Sequence, residues 1–338
     1  MALKRVVVTG LGALTPLGKT VDEYWQSLSD GVSGCDYIKQ FDVTKFKTRF
    51  ACEVKDFDPT TYLEKKEARK IDRYCQFALI ASDEAVKDAG INKENVNPDR
   101  VGVIFASGIG GLITFQEEVI NFASGDGTPR FNPFFIPKMI LDIAAGQISI
   151  RNGFRGPNFA VVSACASSTN AIIDAFDTIR LNKADIIITG GSEAVISAAG
   201  VGGFNAMKAL SERNDDPKTA SRPFDKDRDG FVMGEGAGVL VLESLEHALA
   251  RGAKIYCEIA GGGATADAHH ITAPHPDGLG AKNVMNVTLN DAGMKPEDID
   301  YINVHGTSTP LGDIAETKAI LSVFGSHAYN LNISSTKS

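Results

Sequence analysis

Residues 158–178 read NFAVVSACASSTNAIIDAFDT and predict a buried strand, a sharp turn and a helix, in that order. The apolar run at residues 159–162 is typical of a strand that is covered on both faces. Small side chains follow it, and apolar residues then recur at helical spacing, at Ile172, Ile173, Phe176 and Ile179. We therefore expect an α/β protein with helices packed on a sheet.

Cys165 lies in the small-residue turn of this stretch. If it stands at the first turn of the helix, unpaired N–H groups and the positive end of the helix dipole stabilise its thiolate and make it a better nucleophile. A buried structural cysteine is the alternative for a lone Cys. The placement between strand and helix favours the nucleophile.

The composition of the 338 residues, 43% apolar and 22% charged, fits a globular protein of one large or two smaller domains. No apolar run has membrane-spanning length and the start resembles a strand rather than a signal peptide, so we expect a cytoplasmic protein. The net charge of −8 disfavours nonspecific nucleic-acid binding. Five scattered cysteines argue against a disulfide framework or a zinc site.

Three segments imitate ligand-binding motifs. GLGALTP at residues 10–16 lacks the third glycine of a dinucleotide fingerprint, and we interpret it as a tight turn between strand and helix. DKDRDG at residues 225–230 resembles the opening of a calcium loop, but Gly236 stands where a bidentate Glu is needed. A third segment contains four potential metal ligands, Asp267, His269, His270 and His275. Their spacing fits no regular metal site, and we interpret the segment as a loop that lines a pocket.

The order of elements indicates an internal duplication. A helix ending in Asp-Ala-Gly at residues 88–90, a linker, a strand and a Gly-rich loop recur with Asp-Ala-Gly at residues 291–293. We predict two similar halves, residues 1–252 and 253–338. The second half would stop at the position equivalent to the start of the Cys165 helix, so we expect the chain to be cut short there.

His305 follows a strand whose counterpart in the first half lies beside the Cys165 strand, which is where α/β folds place ligands. A lone His is more often structural, but this one opens the segment HGTSTPLGD, which offers hydroxyls and a closely approachable backbone. Basic residues also cluster at helical spacing where another helix is expected to begin and run on to Gly90, at Lys65, Lys66, Arg69, Lys70 and Arg73. A solvated helix face and a docking patch for an acidic partner both fit them.

Four motifs together resemble the elongating β-ketoacyl-[acyl-carrier-protein] synthases, closest to the synthase II group of the thiolase-like superfamily. They are VSACASS (162–168), SRPFDKDRDGFVMGEGAG (221–238), HGTSTPLGD (305–313) and NISSTKS (332–338). The resemblance implies a five-layer α/β/α/β/α fold with pseudo-twofold duplication, a homodimer, and an acyl carrier protein as partner. No cofactor is expected on the chain, since the phosphopantetheine arrives on the carrier.

The resemblance also implies residue roles. Cys165 matches the acylated nucleophile, and His305 matches the first of two histidines that stabilise the enolate oxygen. Lys337 matches a lysine that orders the site, and Glu316 resembles its carboxylate partner. The remaining matches line the pantetheine channel (Thr272, Thr307 and Thr309), line the acyl pocket (Ile109 and Phe204) or dock the carrier protein (Lys65, Lys66, Arg69 and Lys70).

The family continues beyond Ser338 into a helix with a second histidine and a loop that completes the oxyanion hole, so the chain as written is expected to acylate itself but not to condense. Two rivals stay open at this point. One is a thiolase or synthase that uses coenzyme A. The other is a truncated or chain-length-factor-like subunit that binds the carrier protein or a partner protomer without catalysis.

Overall fold

The computed structural model describes residues 3–337, so Ser338, the predicted point of truncation, lies outside the described residues. Packing divides the chain into two compact units. Unit 1 comprises the segments up to Gly34, Cys52–Gly200 and Gly234–Ile259. Unit 2 comprises Cys35–Ala51, Val201–Met233 and the chain from Ala260 onward. The domain boundary predicted between residues 252 and 253 is based on the internal duplication and not on the compactness of the two units. It stays a prediction.

The strands and helices alternate along much of the chain. The strands are β1 Val6–Leu14, β2 Asp36–Tyr37, β3 Phe50–Ala51, β4 Val101–Ala106, β5 Asn158–Val161, β6 Ile186–Glu193, β7 Gly236–Ser244, β8 Cys257–Ile259, β9 Tyr301–Asn303 and β10 Asn332–Ser334. The helices are α1 Val21–Ser29, α2 Lys65–Ala68, α3 Arg73–Ala89, α4 Leu112–Ala123, α5 Phe135–Met139, α6 Ile143–Asn152, α7 Ser167–Arg180, α8 Ala198–Ala206, α9 Leu245–Ala250, α10 Leu279–Ala292 and α11 Pro310–Phe324. None of the helices within residues 3–337 is both long and apolar enough to span a membrane.

Unit 1 is built on a six-stranded sheet in the order β5-β4-β6-β7-β1-β8. The strands β5, β4 and β6 are parallel, while β7 is antiparallel to both β6 and β1. One face packs on α3 and α6 and the other on α7, which gives each face its own apolar core. The continuous apolar runs of β4 and β6 are buried because helices cover both faces.

The segment predicted as a tight turn at residues 10–16 is instead largely strand, because β1 continues to Leu14 with a register shift between Val8 and Gly10. Its glycines let α3 lie directly on the sheet. A Cβ atom at Gly12 would stand 1.9 Å from the Ala81 carbonyl oxygen, and one at Gly10 would stand 2.4 Å from that of Ala85. The motif therefore serves helix–sheet packing.

The helix predicted to begin in the basic cluster is two helices. Short α2 ends at Ala68, and α3 begins at Arg73 after Asp72, whose carboxylate accepts a hydrogen bond from the Tyr74 N–H. Asp72 is a favourable N-cap residue, so it starts a new helix where helical spacing alone predicted continuity. Arg73 belongs to α3 and forms an ion pair with buried Glu235.

In unit 2, β9 and β10 form a parallel pair in which Ile302 lies opposite Ile333. Helices α10 and α11 pack on each other. Val304, Ile320 and Phe324 form a small buried apolar cluster beside this pair of strands. The predicted strand at residues 299–304 is shorter, β9, and Val304 alone separates it from His305.

The duplication is visible in matching contacts. Both Asp-Ala-Gly caps end in a left-handed glycine with φ +65°, Gly90 and Gly293. In each half the Asp carboxylate accepts a backbone N–H from a Gly-x-Gly segment, Asp88 from Leu11 at 3.0 Å and Asp291 from Gly262 at 2.9 Å. The repeated motif therefore attaches a helix to an extended segment in the same way twice.

Candidate active site

Cys165 lies in unit 1, in a turn that connects β5 to α7. The residue before it, Ala164, has φ +50°, a left-handed conformation that an L-residue with a Cβ adopts only at some cost in energy. Ala164–Ala166 form one turn of 3₁₀ helix, and α7 begins at Ser167. Cys165 thus stands just before α7 rather than in its first turn, and it is exposed.

Small side chains hold this turn in place. Buried Ser167 accepts the Ser163 N–H at 2.8 Å and donates to the Ala164 carbonyl oxygen at 2.7 Å. Asn170 of α7 donates its side-chain N–H to the Ser163 hydroxyl at 2.7 Å. The hydroxyls of Ser167 and Ser163 therefore hold the turn that presents the thiol, the first through the backbone of the turn and the second through Asn170.

The loop after β4, residues 107–111, carries Ile109 and is bonded to the carboxylate of Glu193. One oxygen accepts the Ser107 hydroxyl at 3.0 Å and the Gly110 N–H at 3.2 Å. The other accepts the N–H groups of Gly108 and Ile109 at 2.8 and 3.1 Å. Burial raises the pKa of Glu193 against the opposing effect of these donors. Glu193 was not predicted as a functional residue, although it is the last residue of β6, which pairs with β4.

His305 lies in unit 2 at the carboxyl end of β9, as predicted. Glu316 of α11 accepts the His305 and Gly306 N–H groups at 2.7 and 2.9 Å. The Ser335 hydroxyl donates to the Gly306 carbonyl oxygen at 2.9 Å. The backbone of His305 and Gly306 is therefore held by two side chains, those of Glu316 and Ser335.

The pKa of His305 is lowered, first by desolvation in the surrounding protein and second by the charge of Lys337. Glu316 and Asp313 oppose the shift. A lowered pKa keeps the imidazole neutral near neutral pH, and a neutral imidazole carries one N–H that can donate a hydrogen bond.

Lys337 follows β10, where its N–H donates to the Ser335 hydroxyl at 3.2 Å and its carbonyl oxygen accepts the Ser221 hydroxyl at 2.9 Å. Between the described residues Lys337 and Glu316 there is no ion pair, and the two Glu316 oxygens accept backbone N–H groups instead. The influence of Lys337 on the site is therefore its charge near His305.

The segment at residues 225–230, which resembles the opening of a calcium loop, contacts the segment that follows His305 instead. Arg228 donates to the carbonyl oxygens of Thr309 and Pro310 at 3.0 and 2.6 Å and forms an ion pair with buried Asp313 at 3.1 Å. Buried Ser308, at φ +64°, accepts the Arg222 N–H at 3.1 Å. Sequence reasoning missed the roles of Arg228 and Asp313, because they lie 85 positions apart.

The predicted channel residues lie in two loops of unit 2. The hydroxyls of Thr307 and Thr309 are 3.1 Å apart, and Thr309 precedes the first residue of α11. Thr272 is exposed and donates its N–H to Nδ1 of His270. In the same loop Asp267 accepts N–H groups from His275 and Gly280 at 3.0 and 2.9 Å. Across residues 3–337, no three His, Cys, Asp or Glu side chains are grouped as a metal site would require.

Phe204 lies on α8, where its ring packs edge-on against Phe231 at 5.3 Å. The predicted docking residues of unit 1 all lie on or just after α2 and are exposed, namely Lys65, Lys66, Arg69 and Lys70. Lys70 places its ammonium group 5.5 Å from the ring centre of Phe134. These four residues therefore form a solvent-facing basic surface, to which Arg73, paired with buried Glu235, does not belong.

Comparisons with known proteins agree with this architecture. The family described as "Beta-ketoacyl synthase, N-terminal domain" matches residues 3–248, and "Beta-ketoacyl synthase, C-terminal domain" matches residues 256–338. The chain is 52% identical over 335 residues to a 3-oxoacyl-[acyl-carrier-protein] synthase 2 of Synechocystis sp. and 51% identical over 336 residues to one of Staphylococcus aureus. Each match covers 99% of this chain and 80% of the relative.

Solved structures show the same likeness. A beta-ketoacyl synthase from Burkholderia phymatum superposes with a TM-score of 0.90 at 35% identity, and covers 99% of this chain and 81% of its own. A ketosynthase described in complex with its type II PKS acyl-carrier protein superposes with a TM-score of 0.89 at 34% identity, with the same coverage. The predicted thiolase-like α/β fold is confirmed. The chain belongs to the β-ketoacyl synthase family.

Proposed function

We propose that the protein is an acyltransferase of fatty-acid elongation, a 3-oxoacyl-[acyl-carrier-protein] synthase that carries the growing acyl chain on Cys165. The observation that carries this proposal is the placement of Cys165, exposed on a shaped turn before α7, in a chain of the β-ketoacyl synthase family. Relatives of this family at half identity are named 3-oxoacyl-[acyl-carrier-protein] synthase 2, which favours this function over a coenzyme A-dependent thiolase.

In the first step the Cys165 thiolate attacks the thioester carbonyl of an acyl group on the phosphopantetheine arm of the carrier protein. A new carbon–sulfur bond forms, and the pantetheine thiolate leaves with its electron pair and takes up a proton. The turn before α7 supports this step because helix N-termini stabilise nearby negative charge. Phosphopantetheine is thus a part of the substrate rather than a cofactor of this chain.

In the second step malonyl-carrier protein loses carbon dioxide, and the electron pair of the broken carbon–carbon bond spreads onto the thioester oxygen as an enolate. An N–H donor aimed at that oxygen lowers the barrier. We assign this donor to His305, whose lowered pKa supports a neutral imidazole. The enolate carbon then attacks the Cys165 thioester, and the cysteine thiolate leaves as the 3-oxoacyl product forms.

The partner of this chemistry is an acyl carrier protein, which docks on the exposed basic surface of α2. Acidic carriers are attracted to such a surface, whereas the chain as a whole is acidic, with a net charge of −8. A similar ketosynthase has been solved with its acyl-carrier protein, which supports the same class of partner here.

The assembly we propose is a homodimer in the cytoplasm. Strand β5 lies at one edge of the six-stranded sheet with Phe159 exposed, so it leaves a free edge for a second strand. Helix α4 also exposes large apolar side chains, namely Phe115, Val119, Ile120 and Phe122. A face of this kind is typical of a surface covered by another chain.

The proposal is tested by the mass of the protein after incubation with acyl-carrier protein. We expect one acyl group to be added to the unchanged protein and none to Cys165→Ala. The matched control Cys257→Ala removes another exposed cysteine and should be acylated like the unchanged protein. Binding of the carrier without any acyl transfer would refute the proposal and support the non-catalytic rival.

A further inference from the structure

The loop 107–111 directs three consecutive backbone N–H groups and one hydroxyl at a single half-buried carboxylate, that of Glu193. Such an arrangement is a nest for an anion, and here the anion is a side chain of the protein itself. Because all four donors meet two oxygens, the conformation of the loop depends on the length and the charge of this one residue.

The same loop touches the turn that presents the nucleophile. A Cβ atom built on Gly108 would stand 2.8 Å from Oε2 of Glu193 and 3.4 Å from the carbonyl oxygen of Ala164, the residue that precedes Cys165. The space between the carboxylate and the turn is therefore filled by glycine backbone, and a shift of the loop changes the wall beside the thiol.

The far end of the loop is fixed as well. The Gly111 N–H donates to the Met139 carbonyl oxygen at 3.2 Å. The buried carboxylate of Asp72 accepts both the N–H and the hydroxyl of Thr114, in the first turn of α4, at 3.1 and 2.5 Å. With its backbone held at both ends and in the middle, the loop presents the half-exposed side chain of Ile109 in one position.

We propose that Glu193 is a positioning residue that sets the acyl-chain selectivity of the protein by fixing the loop of Ile109 beside Cys165. This inference rests on the proposed function, in which Cys165 carries the acyl chain and Ile109 lines its pocket. The carboxylate of Glu193 is hydrogen-bonded to the loop rather than to Cys165. It acts through the backbone of residues 107–110, and its loss changes which chains fit rather than whether the thiol reacts.

Glu193→Gln is the sharpest test, because it keeps the size of the side chain and turns one acceptor oxygen into an NH₂ group. In either orientation of the amide this NH₂ group faces at least one backbone N–H, that of Gly110 or those of Gly108 and Ile109, so at least one of the four hydrogen bonds is lost together with the negative charge. The protein is given a mixture of short-, medium- and long-chain acyl-carrier proteins in competition. Intact mass then reports which acyl groups reach Cys165.

We expect the ratio of long to short chains on Cys165 to change by about tenfold, the factor that corresponds to one charge-assisted hydrogen bond. Alkylation of Cys165 by iodoacetamide does not require the acyl pocket. Its rate in Glu193→Gln should therefore stay within about twofold of the rate in the unchanged protein. Ser107→Ala removes only one of the four bonds. It should change the ratio in the same direction by less, and it provides the test if Glu193→Gln does not fold.

The matched control is Glu243→Gln, which alters another carboxylate of the same sheet. Glu243 pairs with Ile186 at the opposite end of β6, and it is bonded to Arg251 rather than to a loop. A purely structural role for Glu193 predicts that both variants lower acylation by all chains equally. An unchanged ratio in Glu193→Gln and Ser107→Ala overturns the inference, whereas failure of the unchanged protein to accept any acyl group refutes the proposed function instead.

Discussion

Replacing Arg228 by Met tests whether the segment after His305 is held by a buried ion pair. The side chain of Arg228 is 11% exposed and that of its partner Asp313 is 1% exposed. Arg228 also donates to the carbonyl oxygens of Thr309 and Pro310. Met retains most of the apolar length of the side chain, so the change removes the charge and the donors with little loss of packing.

The expected cost follows from what remains after the substitution. Asp313 keeps one hydrogen bond, from the Phe224 N–H to Oδ2 at 2.8 Å, while its Oδ1 has no hydrogen-bond partner among the described residues. Removing one partner of a buried pair leaves an uncompensated charge and costs about 3–5 kcal/mol. That is a large part of the roughly 5–15 kcal/mol by which a typical domain is stable.

Denaturant unfolding followed by circular dichroism measures this loss as a lower midpoint with an unchanged slope. The matched control is Arg155→Met, which breaks an Arg–Asp pair of 2.7 Å whose side chains are 61% and 65% exposed. We expect it to cost far less stability than Arg228→Met, because water screens an exposed pair. The double variant Arg228→Met with Asp313→Leu should recover part of the stability, since it no longer contains the unpaired buried charge of Asp313.

Equal effects of Arg228→Met and Arg155→Met would refute this reasoning. They would mean that the carboxylate of Asp313 finds water or another donor at little cost. A change of slope without a change of midpoint would likewise place the effect on the unfolded state rather than on the buried pair.

Three further changes test the histidine, the partner surface and the fold. Lys337→Met removes a positive charge that lowers the pKa of His305, so the imidazole should take up its proton at a higher pH in an NMR titration. Changing Lys65 and Lys66 together to Glu repels an acidic carrier protein, and its association rate at low salt should fall about tenfold in surface plasmon resonance. Gly12→Ala places a methyl group 1.9 Å from the Ala81 carbonyl oxygen, so the free energy of unfolding should fall by about 1–3 kcal/mol or more in denaturant.

Each change has a control with a contrasting expectation. Lys295→Met should leave the His305 titration in place, and Lys93→Glu should leave carrier binding nearly unchanged, because neither lies in the segments concerned. Gly238→Ala adds a methyl group that meets nothing within 4 Å, so it should cost far less than Gly12→Ala. An unmoved His305 titration, salt-independent carrier binding or equal costs of the two alanines would each contradict the corresponding prediction.

The local order of elements around the nucleophile was predictable from the sequence. The predicted burial of the strand on both faces is wrong, because β5 lies at the edge of its sheet and its residues Asn158 and Phe159 are exposed. The predicted order is right, because an apolar run followed by small residues and then by helical spacing corresponds to β5, the turn and α7, which are near neighbours in the chain. The duplication was readable for the same reason, because each Asp-Ala-Gly cap is a local signal. The four motifs then identified the family, which the comparisons confirm.

Local pattern was misleading where a side chain or a neighbouring element decides the outcome. The basic cluster has continuous helical spacing, yet the Asp72 cap divides it into α2 and α3. The Gly-rich segment after Val8 has the composition of a turn, yet it is strand because β7 pairs along its whole length and α3 lies against its glycines. Such contacts override the intrinsic secondary-structure propensity of a residue, because that propensity contributes less free energy than the packing that opposes it.

Local sequence patterns were thus sufficient to predict the fold class, the family, and Cys165 and His305 as candidates for the chemistry. The contacts that hold these residues in place become visible only once the chain is folded. Glu193 lies 84 positions from Ile109, and Arg228 lies 81 positions from Thr309. Hydrogen bonds over such separations leave no periodic pattern in the chain, because the partners are brought together by sheet order and helix packing rather than by spacing.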